Sequence, residues 1–253
     1  MLDRISFRAG PEPMPVSLRI LVTRPQLSAA ATAARLAAMG HEVVLLPVME
    51  AVHQPLAALE ALTHPHSAIA ITSAEAFRAL APYREQLAPH FQTTAYCVGP
   101  ATAQAARYMG FQSVITGSGT GVSLAKIAAD ASADLADGLV YLAGWPRSPA
   151  FEAGLQAAGI ACRTAETYRM SAIPHSPEAV EQLLHPPIPD LVLLYSHETA
   201  RHFFALLSPQ TAHRMSDMRL LCLSQHVANA IPPGFGPVAI AAEPSEEALL
   251  ALL

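Results

Sequence analysis

ILVTRPQLSAAATAARLAAMGHEVVLLPV, residues 20–48, decides the fold. The apolar run Ile20–Val22 is short and bounded, as a strand buried on both faces of a parallel sheet should be. From Leu27 to Met39 the chain is dense in alanine and other good helix formers. It stops at Gly40, the residue best suited to the left-handed position after a helix. His41–Val48 then reads as a second strand. Strand, helix and strand joined by short connections predict a parallel α/β sheet.

The same grammar runs outward from this unit. Strands are expected at Ser67–Ser73, Ala95–Gly99, Leu139–Gly144, Ile160–Met170, Asp190–Ser196 and Leu220–Ser224, with helices between them and a last helix at Ser245–Leu253. Pro-rich stretches at 173–177, 186–189 and 231–237 mark loops. An internal duplication is visible. LAAMG at 36–40 matches LQAAG at 155–159, each before a strand. Ser73-Ala-Glu75-Ala-Phe-Arg78 matches Ser196-His-Glu198-Thr-Ala-Arg201, and YCVGPATAQA matches LCLSQHVANA. The offset is about 120 residues throughout, too long for a solenoid, so one α/β unit occurs twice. Two such lobes leave a cleft, and parallel sheets place ligands at the C-terminal ends of their strands.

Composition narrows the function. Of 253 residues 52% are hydrophobic and 14% charged, with a formal net charge of −5, which argues against a nucleic-acid partner. No apolar run reaches the roughly 18 residues of a membrane span. The first 17 residues hold Arg4 and Arg8 but no apolar core of a signal peptide, and are expected to form a flexible tail. Cys97, Cys162 and Cys222 lie far apart in apolar runs, which predicts buried reduced thiols in a cytoplasmic protein. Eleven histidines, His64 and His66 among them, show no metal-ligand spacing, so no metal is expected. GSGTG at 117–121 lacks the phosphate-loop context and opens a helix near Val122. No GxSxG elbow is present, which excludes a hydrolase of that design.

ILVTRP, LLPVME, IAITSAEAF, YCVGPATAQAARYMGF, LAGWPRSPAFEAGLQAAGI, ETYRM, LLYSHETARHF and AAEPSEEALLALL follow one another in an order that resembles the uroporphyrinogen-III synthase family, over residues 18 to 253. The resemblance implies two flavodoxin-like lobes joined by a two-stranded β linker: residues 18–48 with 173–253, and residues 49–172. It implies a cofactor-free lyase that cyclises hydroxymethylbilane, with loss of water and inversion of ring D. A transient encounter with hydroxymethylbilane synthase is expected, and a monomer, because no long apolar surface helix demands a partner. A non-catalytic tetrapyrrole-binding or regulatory module on the same scaffold is the alternative; a periplasmic solute receptor would need an export signal.

The substrate bears an acetate and a propionate on each pyrrole. Helix N-termini, which favour anions, suit such a ligand on a chain without a large basic patch. Gly99 and Thr102 sit at such a turn, where glycine permits close approach and threonine can cap; a plain helix cap has the same appearance. Ser73 and Ser196 occupy the matching strand ends, and both cap and ligand contact are compatible with them. Thr23 and Arg24 follow the first strand, Gly144 and Arg147 follow the Leu139 strand, and Arg219 precedes the last repeat's strand; arginine binds carboxylates bidentately. In the second copy of the turn the family's usual Gly-x-Thr is replaced by Ser224-Gln225-His226-Val227, leaving Ser224 or His226 to supply the polar contact. Tyr168 resembles the family tyrosine that assists departure of the ring A hydroxyl. A phenol, protonated at neutral pH, can donate to it.

Overall fold

The computed structural model describes residues 17–253. The tail expected at 1–17 lies, apart from Ser17, outside the described residues. In chain order the elements are β1 (Arg19–Val22), α1 (Gln26–Ala38), β2 (Glu42–Leu45), β3 (Met49–His53), α2 (Pro55–Leu62), β4 (Ala68–Ile71), α3 (Ala74–Leu80), α4 (Arg84–Leu87), β5 (Thr94–Cys97), α5 (Pro100–Met109), β6 (Val114–Thr116), α6 (Gly121–Asp130), β7 (Leu139–Trp145), α7 (Ala150–Ala157), β8 (Cys162–Ala172), α8 (Pro177–Leu183), β9 (Leu191–Leu194), α9 (His197–Leu206), α10 (Pro209–Arg214), β10 (Arg219–Cys222), α11 (Gln225–Ala228), β11 (Val238–Ile240) and α12 (Glu246–Leu250).

The chain divides into two compact units. One comprises the residues up to Glu50 with Ala172–Leu253, the other Ala51–Ser171. The first unit's sheet has the order β11-β10-β9-β1-β2, with every pair parallel. Counted along the chain, this is the flavodoxin-like order 2-1-3-4-5. The second sheet runs β3-β8-β7-β4-β5-β6. Its five parallel strands have the same order, entered at the third strand, so that β4 stands where β9 stands in the first unit. Edge strand β3 runs antiparallel to β8: Gln54 donates to the Thr167 carbonyl while Ile173 donates to that of Val48.

Both faces of the central strands are covered, as right-handed crossovers require. In the second unit Ile69, Ile71, Val140 and Leu142 face one cluster, and Ala68, Ala70, Leu139 and Tyr141 face the other. In the first unit Ile20, Val22, Leu191, Leu193 and Leu221 pack with Ala29 and Leu36 of α1 and Leu249 and Leu250 of α12. Each large aliphatic side chain so buried contributes about 1.5–3 kcal/mol. The matching glycines of the repeat, Gly40 and Gly159, close α1 and α7 at φ +89° and +70°, where a side chain would be strained.

Three features depart from the sequence reading. The edge strands β6 and β11 are three residues long and at most half-buried, too short to leave a bounded apolar run. Helix α2, which opens at Pro55, was not anticipated. Cys97 and Cys222 are buried free thiols, raised by burial to about 12 and about 11, but Cys162 is partly exposed, because it opens β8 near the end of its sheet.

Candidate active site

In doubly wound sheets ligands gather beyond the C-terminal strand ends, where the strand order reverses. Those points lie between β1 and β9 in the first unit and between β7 and β4 in the second. The loops that follow these strands carry Thr23, Arg24 and Ser196 in the first unit and Ser73 and Arg147 in the second, where Gly144 lies in the last residues of β7.

In the second unit Ser73 caps α3, accepting from the Glu75 amide at 3.2 Å. The Glu75 carboxylate pairs with Arg78 on the next turn and with His53 at 2.8 Å. Tyr168 is aimed here by a β-bulge. Ala143 pairs with Glu166 but Gly144 pairs with Tyr168, so Thr167 is the extra residue. Strict alternation would send Ala165 and Tyr168 to opposite faces; with one residue skipped, both pack on the same cluster. A Cβ on Gly144 would run into the Tyr168 ring and hydroxyl. Burial raises the Tyr168 phenol above its ordinary value and Glu75 adds to this, while the Ser73 hydroxyl and Arg78 oppose. The phenol therefore stays a donor at neutral pH.

Thr102 does not cap its helix. The N-cap of α5 is Gly99, extended at φ −166° and without a side-chain cap, and Thr102 is buried inside the first turn. A Cβ on Gly99 would make only an ordinary contact, at 3.5 Å from the Gly119 Cα, so the bare turn leaves the first N–H groups without a side-chain cap rather than relieving strain. Arg147 is engaged on its own protein. Its guanidinium donates to both Glu152 oxygens at 3.1 Å and lies 3.6 Å from Glu166. The Arg147 hydrogen bond is the main force that holds the Glu152 carboxyl below its usual range, and Thr164 adds a bond at 2.8 Å. The exposed ring of Trp145 has Arg147 and Arg169 within 5.7 and 5.6 Å.

In the first unit Thr23 is fully buried and donates to the Leu193 carbonyl at 3.4 Å, out of a ligand's reach. Arg24 lies 4.0 Å over the Tyr195 ring and donates to Glu246 at 2.8 Å. Glu246 also accepts from Thr32 at 2.6 Å, Tyr195 at 2.8 Å and Arg35 at 2.8 Å. Ser196 accepts from the Thr199 amide at 3.1 Å and donates to its hydroxyl at 2.7 Å; Ser224 accepts from the Val227 amide at 3.4 Å. His226 stacks on His197 with centroids 4.8 Å apart and planes 20° apart. Arg219 does not join this edge. It opens β10, at the N-terminal end of the parallel strands, and donates to the Leu252 carbonyl at 3.0 Å.

The second unit thus brings together Ser73, Gly144 and Tyr168, and the first brings Ser196, Ser224 and His226. His53, His197 and Glu246 were not anticipated. The repeat held a signal for His197, which occupies the place of Ala74. Nothing local links Glu246 to Arg24, 222 residues away. Among the described residues no three His, Cys, Asp or Glu side chains are grouped to hold a metal, and no helix is long and apolar enough to cross a membrane.

No curated protein matches the chain. The crystal structure of uroporphyrinogen-III synthetase from Helicobacter pylori is similar, with a TM-score of 0.68 and 17% identity over 93% of this chain and 97% of that one. A mutant uroporphyrinogen III synthase from Thermus thermophilus is similar with a TM-score of 0.55 and 18% identity over 93% and 96%. At these identities the likeness concerns the fold. A family model described as uroporphyrinogen-III synthase HemD matches residues 30–251, most of the sequence, and on that match the chain belongs to the uroporphyrinogen-III synthase family.

Proposed function

We propose that this chain is a cyclising hydro-lyase that converts hydroxymethylbilane to uroporphyrinogen III in heme biosynthesis. The observation that carries the reading is the Tyr168 phenol, aimed by the bulge, kept protonated by burial, and set beside the capped start of α3.

The ring A hydroxymethyl carbon–oxygen bond breaks and the oxygen departs as water. Pyrrole nitrogen electrons drive the departure and leave an azafulvene cation, so the protein need supply only a hydrogen-bond or proton donor, the role assigned to Tyr168. Ring D then bonds through its substituted carbon, giving a spiro intermediate that reopens and recloses with ring D inverted and a proton released. Unassisted closure occurs without inversion, so the protein's larger task is to hold the chain in position. The substrate carboxylates are assigned to the strand-end edges: Ser73, Gly99, Gly144 and the first turn of α5 in the second unit, Ser196, Ser224 and His226 in the first. Arg24 and Arg147 act mainly as internal braces in this reading. Because free hydroxymethylbilane closes to the type I isomer, the proposal includes a transient encounter with hydroxymethylbilane synthase, by a monomer in the cytoplasm.

The test generates hydroxymethylbilane in place and separates the product isomers by chromatography. Type III product above the spontaneous background is expected. Type I alone, with tight tetrapyrrole binding, would favour the non-catalytic module.

A further inference from the structure

At the C-terminal edge of the first unit's sheet the other polar side chains named above are already engaged. Arg24 and Tyr195 are held by Glu246, and Ser196 and Ser224 are held by the amides they cap. Arg201 is paired with Glu198 at 2.9 Å and lies 3.2 Å from His202. Val227 is apolar and buried. Two imidazoles keep a ring nitrogen without a partner among the described residues. His226 is exposed, and His197 keeps about a third of its side chain exposed, with Nδ1 3.3 Å from Glu198.

Their stacking has a chemical consequence. Ring nitrogens lie in the ring planes, so face-to-face contact leaves them directed outward; His197 Nδ1 meets Glu198, while His197 Nε2 and the nitrogens of His226 are available to another partner. Two imidazolium rings in contact repel, whereas an anion placed against their edges offsets that repulsion. The other titratable groups of the packed elements do not change charge near neutrality while they keep their partners: Glu198 is held low chiefly by its Arg201 bond, the Cys222 thiol is raised by burial to about 11, and Tyr195 is raised by burial and Glu246. His202, beside Arg201, lies on the same helix and is the control group.

We propose that the stacked His197–His226 pair is a pH-gated receptor for a substrate carboxylate, loaded with a proton as the carboxylate binds. The inference rests on the synthase reading and adds to it a specificity element.

The experiment measures KM and kcat from pH 6 to pH 8, where imidazoles change charge and carboxylates do not, for the native protein, His197→Gln, His226→Gln, the double variant and His202→Gln. The native KM is expected to rise about 5-fold across this range, the scale of one exposed ion pair. In the double variant KM is flat at the high-pH value, with the change in KM rather than kcat, and His202→Gln keeps the native slope. Calorimetry with uroporphyrin, a stable octacarboxylate tetrapyrrole, in two buffers of different ionisation enthalpy should show proton uptake that the double variant loses. A flat native KM, or a double variant with the native slope, overturns the inference while type III synthesis stands. No type III product at any pH overturns the synthase reading and the inference with it.

Discussion

Between Ala143 and Gly144 the pairing with β8 skips Thr167, and the consequence for Tyr168 is steric as well as directional. The ring lies where a side chain on residue 144 would be, so Gly144 and Tyr168 work as a pair. Tyr168→Phe keeps the ring and removes the donor. Turnover is expected to fall roughly 10-fold, below the usual range for a general acid because the pyrrole nitrogens drive the departure. Steady-state kinetics and a thermal melt check this, and unchanged turnover would take Tyr168 out of the mechanism. Gly144→Ala overpacks the same spot and should cost about 1–3 kcal/mol in denaturant unfolding. It should also reduce kcat at least as far as Tyr168→Phe, because the phenol is displaced. A variant with native kcat would show that the position of the phenol does not matter.

Among the elements, α12 is the one whose attachment is least apparent from its length. Five residues do not make a stable helix alone. It is fastened by Leu249 and Leu250 in the core of the first unit and by Glu246, which receives Arg24, Thr32, Arg35 and Tyr195. Burial by itself would raise the Glu246 carboxyl, but the Thr32 and Tyr195 hydroxyls and the two arginines outweigh it and the net shift is downward. A carboxyl held lower in the folded than in the unfolded chain stabilises the fold above its unfolded value, and that contribution is lost as pH falls through the folded one. Glu246→Gln should therefore cost about 1–2 kcal/mol at neutral pH and have a smaller effect below about pH 4. Urea melts at the two pH values measure it; an equal loss at both would mean that charge is not what fastens α12. The repeat is legible at this scale too. Ser73 and Ser196 both cap, as the matched sequences suggested, and Glu75 and Glu198 both pair with an arginine three residues on.

For the molecule as a whole, the chemistry requires a donor and a scaffold rather than a Lewis acid, since the substrate's own nitrogens expel the oxygen. Exhaustive dialysis against a chelator is expected to leave type III synthesis at its native rate; activity lost on dialysis and restored by one divalent metal would require a different mechanism. The parallel α/β class, the duplication and the central strands could be read from the chain alone, because buried strands carry unbroken apolar runs and helices between them end at glycine. The edge strands could not, being short and partly solvated. Of the candidate residues, Ser73 and Ser196 could be placed at strand ends, and Tyr168 within a strand, from local pattern. Side-chain direction could not: alternation predicts the wrong face for Tyr168 once a bulge intervenes, and sequence order says nothing of which edge of the sheet Arg219 serves. The linear chain by itself determined the kind of element at each central position and their repetition, because apolar periodicity and helix termination are local. Tertiary structure alone decided which arginines are already neutralised by Glu152 and Glu246 and which imidazoles meet, because ion pairing and ring stacking depend on contacts between residues up to 222 positions apart.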